Sequence, residues 1–296
     1  MLGYALFTLF DALLKSASRG GYPQWQLMAT TGMVSIVTVS ILAALTGGVK
    51  RLATRRLKFH IIRGCIGLVS FTCGLYAIRN IPLVDCYGVI FAAPIIMTLL
   101  SVVWLREHVG WRRWLAVGAG FIGVTIMLRA GAAAATTSAM QWGYAAALGC
   151  AVFNAVSLVM VRRYGRGESN LTFSFYSTLC NLAVTGSMLL ATGGKTYAFQ
   201  DLLAVAGAGV LSGVASVFLM TAFQRSPAAA VAPFQYTQML WGAILGYVVF
   251  HDIPSRMTLL GAGIVIGSGW FVLWREARLA HTIWRANAAR ADMTAE

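Results

Sequence analysis

The chain has 296 residues, of which 58% are hydrophobic and only 11% are charged, and its net charge at pH 7 is +14. A soluble domain carries about 25% charged residues, so this composition excludes an ordinary water-soluble fold. Apolar stretches of about 20 residues, the length that crosses a hydrocarbon core, recur along most of the chain. They predict an all-α protein in a lipid bilayer. Its basic charge is typical of cytoplasmic loops and does not indicate a nucleic-acid partner.

Charged residues, glycines and prolines divide the sequence into ten candidate transmembrane helices. Pro82 and Pro227 each stand at the first turn of a span, where a helix tolerates proline. Pro94 lies inside the fourth span and predicts a kink there. The ten spans are predicted, in chain order, at residues 2–18, 24–46, 59–78, 82–105, 112–130, 141–161, 170–191, 201–223, 227–250 and 257–274.

The basic residues between these spans are unequally distributed across the membrane. If successive loops alternate sides, sixteen lysines and arginines fall on one side and six on the other, and Arg63 lies nearest the richer side. The positive-inside rule makes the richer side cytoplasmic. With an even number of spans, both termini are predicted in the cytoplasm of a bacterial-type inner (plasma) membrane. Residues 276–296 would form a cytoplasmic basic tail.

The second half of the chain repeats features of the first half in the same order. "RNIPLVDCYGV" opens the fourth span and "QRSPAAAVAPF" opens the ninth, and the acids Glu107 and Asp252 follow the ends of these spans. "FDA" at 10–12 matches "FNA" at 153–155. Because five spans per half is an odd number, the second half must lie inverted in the membrane. Inverted repeats are typical of secondary transporters, which bind substrate near the midplane between the halves.

Segment 82–107 and the glycine-rich helix after it resemble the EamA-type transporters of the drug/metabolite transporter superfamily. The resemblance covers nearly the whole chain, and "FDALLK" with "HIIRG" is similar to members that take up S-adenosylmethionine or riboflavin. It implies two EamA-like five-helix repeats, at 1–130 and 141–275, around a central cavity. It also implies alternating-access transport of a small organic metabolite: an amino acid, an S-adenosylmethionine-like or other nitrogenous cation, or an aromatic compound.

Asp11 is the central candidate for a functional residue, because an ionisable group inside the bilayer faces a cavity or a partner. Lys15 lies one helical turn away on the same face. Asp11 could form a structural ion pair with Lys15, which would extend toward the interface. Alternatively, Asp11 binds a cationic substrate group or a proton. Asn154 occupies the matching place in the second half, where Leu158 replaces the basic partner, and this favours the second interpretation.

Further candidates lie in the fourth and ninth spans. Asp85 is predicted either to complement the N-terminus of its helix or to lie at the mouth of the cavity, as a second possible ion-pair or proton site. The ninth span contains more amides and aromatic rings than a lipid-facing helix surface would, although Trp241 could be an interfacial aromatic. Aromatic faces beside a carboxylate suit a quaternary or sulfonium cation and also stack on planar rings. The predicted cavity lining therefore adds Phe91, Gln235, Tyr236, Gln238 and Trp241 to Asp11 and Asn154.

Other motifs are predicted to be structural. The five cysteines lie in apolar runs without a CxxC pair, which indicates neither disulfides nor metal ligands. Glu107 and Asp252 are assigned to loop architecture. Gly263 and Gly267 form a GxxxG that mediates either a close contact within the fold or a homodimer, so the chain is predicted to be a monomer or a homodimer.

The remaining question is the class of membrane protein. The sequence contains no GxxxxGK[ST] loop for ATP hydrolysis, and its embedded acids are too few for a metal site or a Ser/His site. We therefore expect a carrier without a cofactor, coupled to protons or to exchange, and not an enzyme. The alternatives are a membrane-embedded enzyme or a channel that acts on a small polar substrate.

We expect the loop at 51–57 to be cytoplasmic. In a cysteine-free background, a single cysteine placed in this loop should react only with a membrane-permeant reagent, whereas one at residue 195 should also react with an impermeant reagent. Labelling of the 51–57 loop from outside intact cells would contradict the predicted topology.

Overall fold

All regular secondary structure in the described residues is helical. A computed structural model of the chain describes residues 2–45, 52–106, 111–165, 168–225, 237–252 and 255–271. The predicted residues Glu107, Pro227, Gln235 and Tyr236 and the tail at 276–296 lie outside these ranges. The helices are α1 (Leu2–Ser18), α2 (Gln24–Leu45), α3 (Leu57–Asn80), α4 (Leu83–Ile90), α5 (Ala93–Leu105), α6 (Trp111–Ala134), α7 (Ser138–Tyr164), α8 (Asn170–Thr192), α9 (Phe199–Arg225), α10 (Thr237–Phe250) and α11 (256–271).

Seven of these helical segments are long and apolar enough to cross a membrane: α2, α3, α4 together with α5, α6, α7, α8 and α9. α10 is also apolar, but only 14 of its residues are described. α1 has 17 described residues, which is the lower end of the length that a membrane span needs. The all-α, multi-pass class is confirmed in the described residues, whereas the number of ten spans stays a prediction.

The predicted fourth span is interrupted at Phe91 and Ala92, between α4 and α5. Pro94 explains the break, because proline has no N–H to donate to the carbonyl of Ile90 four residues earlier. The last turn of α4 closes with a 2.9 Å bond from the Phe91 N–H to the Tyr87 carbonyl. The kink predicted at Pro94 is therefore confirmed.

Helices from the two halves of the chain pack against one another throughout the bundle. α1 contacts α9 and α10, α3 contacts α7 and α8, and α2 lies against both α8 and α9. α4 is placed between α7 and α10. Large apolar side chains also cover the outward faces, such as Val37 on α2, 56% exposed, and Phe121 on α6, 65% exposed. Such faces suit helices that contact lipid chains rather than water.

Successive helices run between two ends of the bundle. At one end, which we call the Lys15 end, Lys15 contacts Ile81 and Asp252. At the opposite end, which we call the His60 end, His60 Nε2 lies 3.4 Å from Glu168 Oε2. Arg56 donates to the Tyr164 carbonyl at the same end, and Arg163 donates to the carbonyl of Trp104.

Close packing of α6 against α11 depends on two glycines. A Cβ at Gly123 would lie 2.7 Å from the carbonyl oxygen of Gly261. In contrast, a Cβ at Gly263 or Gly267 would meet no described atom within 4 Å. Residues two apart point to nearly opposite sides of a helix, so the face that crosses α6 cannot include Gly263. For the described residues, the predicted GxxxG contact within the fold is wrong, and its role in a homodimer stays a prediction.

We expect Gly123→Leu to destabilise the protein by about 1–3 kcal/mol, because the added side chain overpacks the crossing with α11. Gly118→Leu is the matched control on the same helix, since a Cβ at Gly118 meets nothing within 4 Å. Thermal unfolding in detergent should show a lower midpoint for the Gly123 variant alone. Equal midpoints for the two variants would contradict the assigned crossing.

Candidate functional site

Asp11 is held at a junction of three helices. It is half-buried in the middle of α1, and its Oδ2 accepts a 2.6 Å hydrogen bond from the Tyr87 hydroxyl of α4. The Tyr87 ring packs on α10 at Gly242, where a Cβ would lie 2.5 Å from the ring. The same ring stacks on Phe91, with ring centroids 6.5 Å apart. A small residue in α10 and the kink after α4 thus allow Tyr87 to reach Asp11.

Lys15 pairs with another acid, so the described residues do not show the alternative in which Lys15 forms a structural ion pair with Asp11. Its Nζ lies 2.8 Å from Asp252 Oδ2 and donates a 3.0 Å hydrogen bond to the Ile81 carbonyl. The ammonium also lies 4.9 Å from the centroid of the Phe250 ring. Lys15 is buried, with 7% of its surface exposed. Because burying an ammonium without partners is strongly unfavourable, these contacts are needed to compensate its charge.

The end of α10 places Asp252 beside Lys15. His251 adopts a left-handed conformation, with φ of 57°, and ends the helix. The Asp252 N–H then turns back to the Gly246 carbonyl at 2.9 Å. The sequence assigned Asp252 to loop architecture; the structure gives it a further role as the ion-pair partner of Lys15.

Asp85 connects α4 to the second half of the chain. It lies in the first turn of α4, as the helix-terminus interpretation requires, and is only 7% exposed. Its Oδ2 accepts a 2.5 Å hydrogen bond from the Tyr144 hydroxyl of α7. Lys15 and Asp252 are close enough to Asp85 to interact electrostatically. Asp85 therefore belongs to the polar group at the Lys15 end.

The structure brings together only some of the predicted cavity residues. Phe91 is 1% exposed and packs near Asp11 through Tyr87. Asn154 is half-buried on α7. On α10, Gln238 is half-buried and Trp241 is 37% exposed. The predicted residues outside the described ranges are Gln235 and Tyr236.

Two tyrosines that bind the embedded acids were not among the predicted site residues. Tyr87 and Tyr144 are 3% and 4% exposed. A buried tyrosine hydroxyl usually finds a hydrogen-bond partner, so a tyrosine inside an apolar span that also contains an acid is a usable signal. Tyr87 stands two residues after Asp85, yet it binds Asp11 on another helix. Sequence distance alone would have paired the wrong residues.

Loops from the two halves also meet at the Lys15 end. The Tyr22 hydroxyl donates to Asp201 Oδ2 at 2.8 Å. Gln26 exchanges two hydrogen bonds with the backbone of Lys195, at 2.6 and 2.9 Å. With the pair of Lys15 and Asp252, these bonds tie the first half of the chain to the second at this end.

An apolar cavity of about 380 Å³ lies elsewhere, between α6 and α11. No charged side chain is among its described lining residues, and neither Asp11 nor Lys15 is on these helices, so it is separate from the candidate site. Its lining residues are Trp111, Leu115, Ala116, Ala119, Ser268 and Phe271.

We expect Tyr144→Phe to destabilise the protein by about 1–3 kcal/mol, because Asp85 stays buried and loses its hydrogen-bond donor. Tyr247→Phe is the matched control, since the Tyr247 ring is 62% exposed on α10. Thermal unfolding of both variants in the same detergent is the measurement. A loss of stability in the control as large as in Tyr144→Phe would show that the bond to Asp85 is not the cause.

Comparisons with known proteins place this arrangement among transporters. The sequence profile of the EamA-like transporter family matches the chain twice, over residues 1–129 and 141–274. An S-adenosylmethionine uptake transporter of Rickettsia felis is 28% identical over 239 residues, which cover 78% of this chain and 76% of that protein. A riboflavin transporter of Vibrio cholerae is 26% identical, and 90% of each chain is covered. One crystal structure of a protein that is 21% identical has the same fold, with a TM-score of 0.67 over 94% of this chain and 97% of that one.

Proposed function

This chain belongs to the EamA-like transporter family, and from that premise we propose that it carries a small nitrogenous metabolite across the inner membrane by alternating access. It is a multi-pass membrane protein with several spans, and its named relatives are transporters of small molecules. The proposed substrates are amino acids, S-adenosylmethionine-like and other nitrogenous cations, and aromatic compounds. Lipid surrounds the bundle, and coupling is to protons or to exchange.

The observation that carries this proposal is the missing counter-ion of Asp11. Within the described ranges no basic side chain pairs with this carboxylate, because Lys15 is bound to Asp252. Its hydrogen-bond donor is the neutral phenol of Tyr87. A carboxylate inside a membrane bundle is unfavourable without a compensating positive charge. A cationic substrate group or a proton supplies that charge, which favours transport over the structural interpretation.

The helix contacts support an inverted arrangement of the two repeats, which we propose at residues 1–130 and 141–275. If α7, α8 and α9 take the places of α1, α2 and α3, the contact of α1 with α9 corresponds to that of α7 with α3. The contact of α2 with α9 likewise corresponds to that of α8 with α3, and α2 meets α8. A pseudo-two-fold axis in the membrane plane would generate these pairs.

The ends of α5 and α10 support the same symmetry. Among the described residues other than glycine, only Arg106 and His251 have positive φ, 54° and 57°. Each follows the last helix residue of its span, and they lie at opposite ends of the bundle. The basic loops at the His60 end support a cytoplasmic position for that end under the positive-inside rule, and we propose that both chain termini lie on the same side. Asp11, Asn154 and α10 then line the path between the halves.

Transport by the purified protein in liposomes tests the proposed function. S-adenosylmethionine, riboflavin, phenylalanine and choline are suitable substrates for the first measurements. We expect saturable uptake of at least one of them and stimulation by the same compound inside the liposome. Uptake that rises linearly with concentration and shows no counterflow would indicate a channel instead.

We expect Asp11→Asn to fold but to lose most transport, or to lose its dependence on pH. Asparagine keeps the shape and can still accept the bond from Tyr87, but it carries no charge and does not titrate. Asp201→Asn is the matched control, since Asp201 also accepts a hydrogen bond from a tyrosine, Tyr22. Initial rates in proteoliposomes at several pH values are the measurement. Normal, pH-dependent uptake by the Asp11 variant would remove Asp11 from the site.

A further inference from the structure

We propose that Lys15 binds the carboxylate of a substrate that also carries an ammonium group, and that Asp252 occupies the place of this carboxylate until the substrate arrives. The inference rests on the proposed function, because it specifies the substrate class of the site around Asp11. It makes the transported compound a zwitterion of the amino-acid type.

The spacing of Asp11 and Lys15 fits the two charged ends of such a compound. Four residues along an α-helix correspond to a rise of about 6 Å, and both side chains share one face. In the described residues the two side chains do not neutralise one another, because Lys15 is paired with Asp252. A ligand ammonium on Asp11 and a ligand carboxylate on Lys15 would give each side chain a charge-assisted hydrogen bond.

Asp252 is the member of the ion pair that can leave. Its side chain is 23% exposed, whereas that of Lys15 is 9% exposed. Asp252 lies in the connection after α10, so a small movement would return its carboxylate to water. Lys15 would stay inside the bundle and would require another anion, because a buried ammonium without a partner is strongly unfavourable. A substrate carboxylate restores the pair that Asp252 gives up.

The other contacts of Lys15 hold its ammonium in place during this exchange. The Ile81 carbonyl accepts one of its hydrogen bonds, and the Phe250 ring lies 4.9 Å away. Asp85 is close but is engaged by the Tyr144 hydroxyl. These neighbours occupy other sides of the Lys15 ammonium. A different carboxylate can therefore bind on the side that now faces Asp252.

The charges near Lys15 also limit which substrates fit. Asp11, Asp85 and Asp252 provide three carboxylates in this part of the described bundle, against two cations: the ammonium of Lys15 and the exposed guanidinium of Arg19, which lies 4.9 Å from the centroid of the Phe250 ring. Compounds with a second negative charge are therefore disfavoured. The site would bind a zwitterion, including a zwitterion that carries an additional positive group such as a sulfonium. Because Lys15 and Asp252 belong to different halves, binding of the substrate would also release one of the ties at the Lys15 end.

Binding of matched compounds to the purified full-length protein tests this inference. Each pair consists of a carboxylate-bearing compound and the amine that lacks only that group: S-adenosylmethionine with decarboxylated S-adenosylmethionine, and phenylalanine with phenethylamine. We expect Asp252→Asn to strengthen binding of the carboxylate-bearing member by about tenfold relative to the amine, since the competing anion is removed. Asp201→Asn, the matched control, should leave the ratio unchanged.

The lysine provides the second half of the test. Lys15→Gln should abolish the preference for the carboxylate-bearing member, and the double variant Lys15→Gln/Asp252→Asn keeps the measurement feasible if an unpaired Asp252 prevents folding. The inference is overturned if Asp252→Asn affects both members of a pair equally. It is also overturned if wild-type protein binds neither pair, or if it prefers the amines. Saturable transport of a compound without a carboxylate, such as riboflavin, would leave the proposed function intact in each case.

Discussion

An embedded charge must find its compensation inside the bundle, because hydrocarbon offers neither water nor counter-ions. Lys15 meets this constraint with an ion pair, a carbonyl and an aromatic face. Asp85 receives a hydrogen bond from Tyr144 on Oδ2, while its buried Oδ1 has no hydrogen-bond partner among the described residues. Asp11 receives only a hydrogen bond from a neutral phenol in the part of the chain that is described. The charge of Lys15 is therefore compensated within the described bundle, whereas that of Asp11 would be compensated by a substrate or a proton.

The same constraint binds the two halves of the chain together. Lys15 of α1 is compensated by Asp252, which follows α10, and Asp85 of α4 by Tyr144 of α7. At the His60 end, His60 of α3 lies against Glu168, which precedes α8. Since each partner comes from the other half, the halves cannot separate at either end unless these polar groups exchange partners. Polar compensation and conformational change would therefore be linked in a carrier of this design.

Relatives of this chain that are 26–28% identical to it are named for chemically different substrates, S-adenosylmethionine and riboflavin. A helix framework does not itself select a substrate, and selection falls to a few polar and aromatic side chains. In this chain, we propose that the neighbouring charges of Asp11 and Lys15 on α1, with Tyr87 between α1 and α10, make this selection.

The sequence by itself determined the all-α membrane class, the bounds of α1 at residues 2–18 and the kink before Pro94. These properties depend on hydropathy and on the missing N–H of proline, which are local. It did not determine that Lys15 pairs with a residue 237 positions away, nor that Tyr87 turns toward Asp11 and not toward its near neighbour Asp85. It also did not show that α11 meets α6 at Gly261 and not at Gly263. Those choices depend on the rotation of each helix about its axis and on its depth against distant helices, and only packing in three dimensions fixes both.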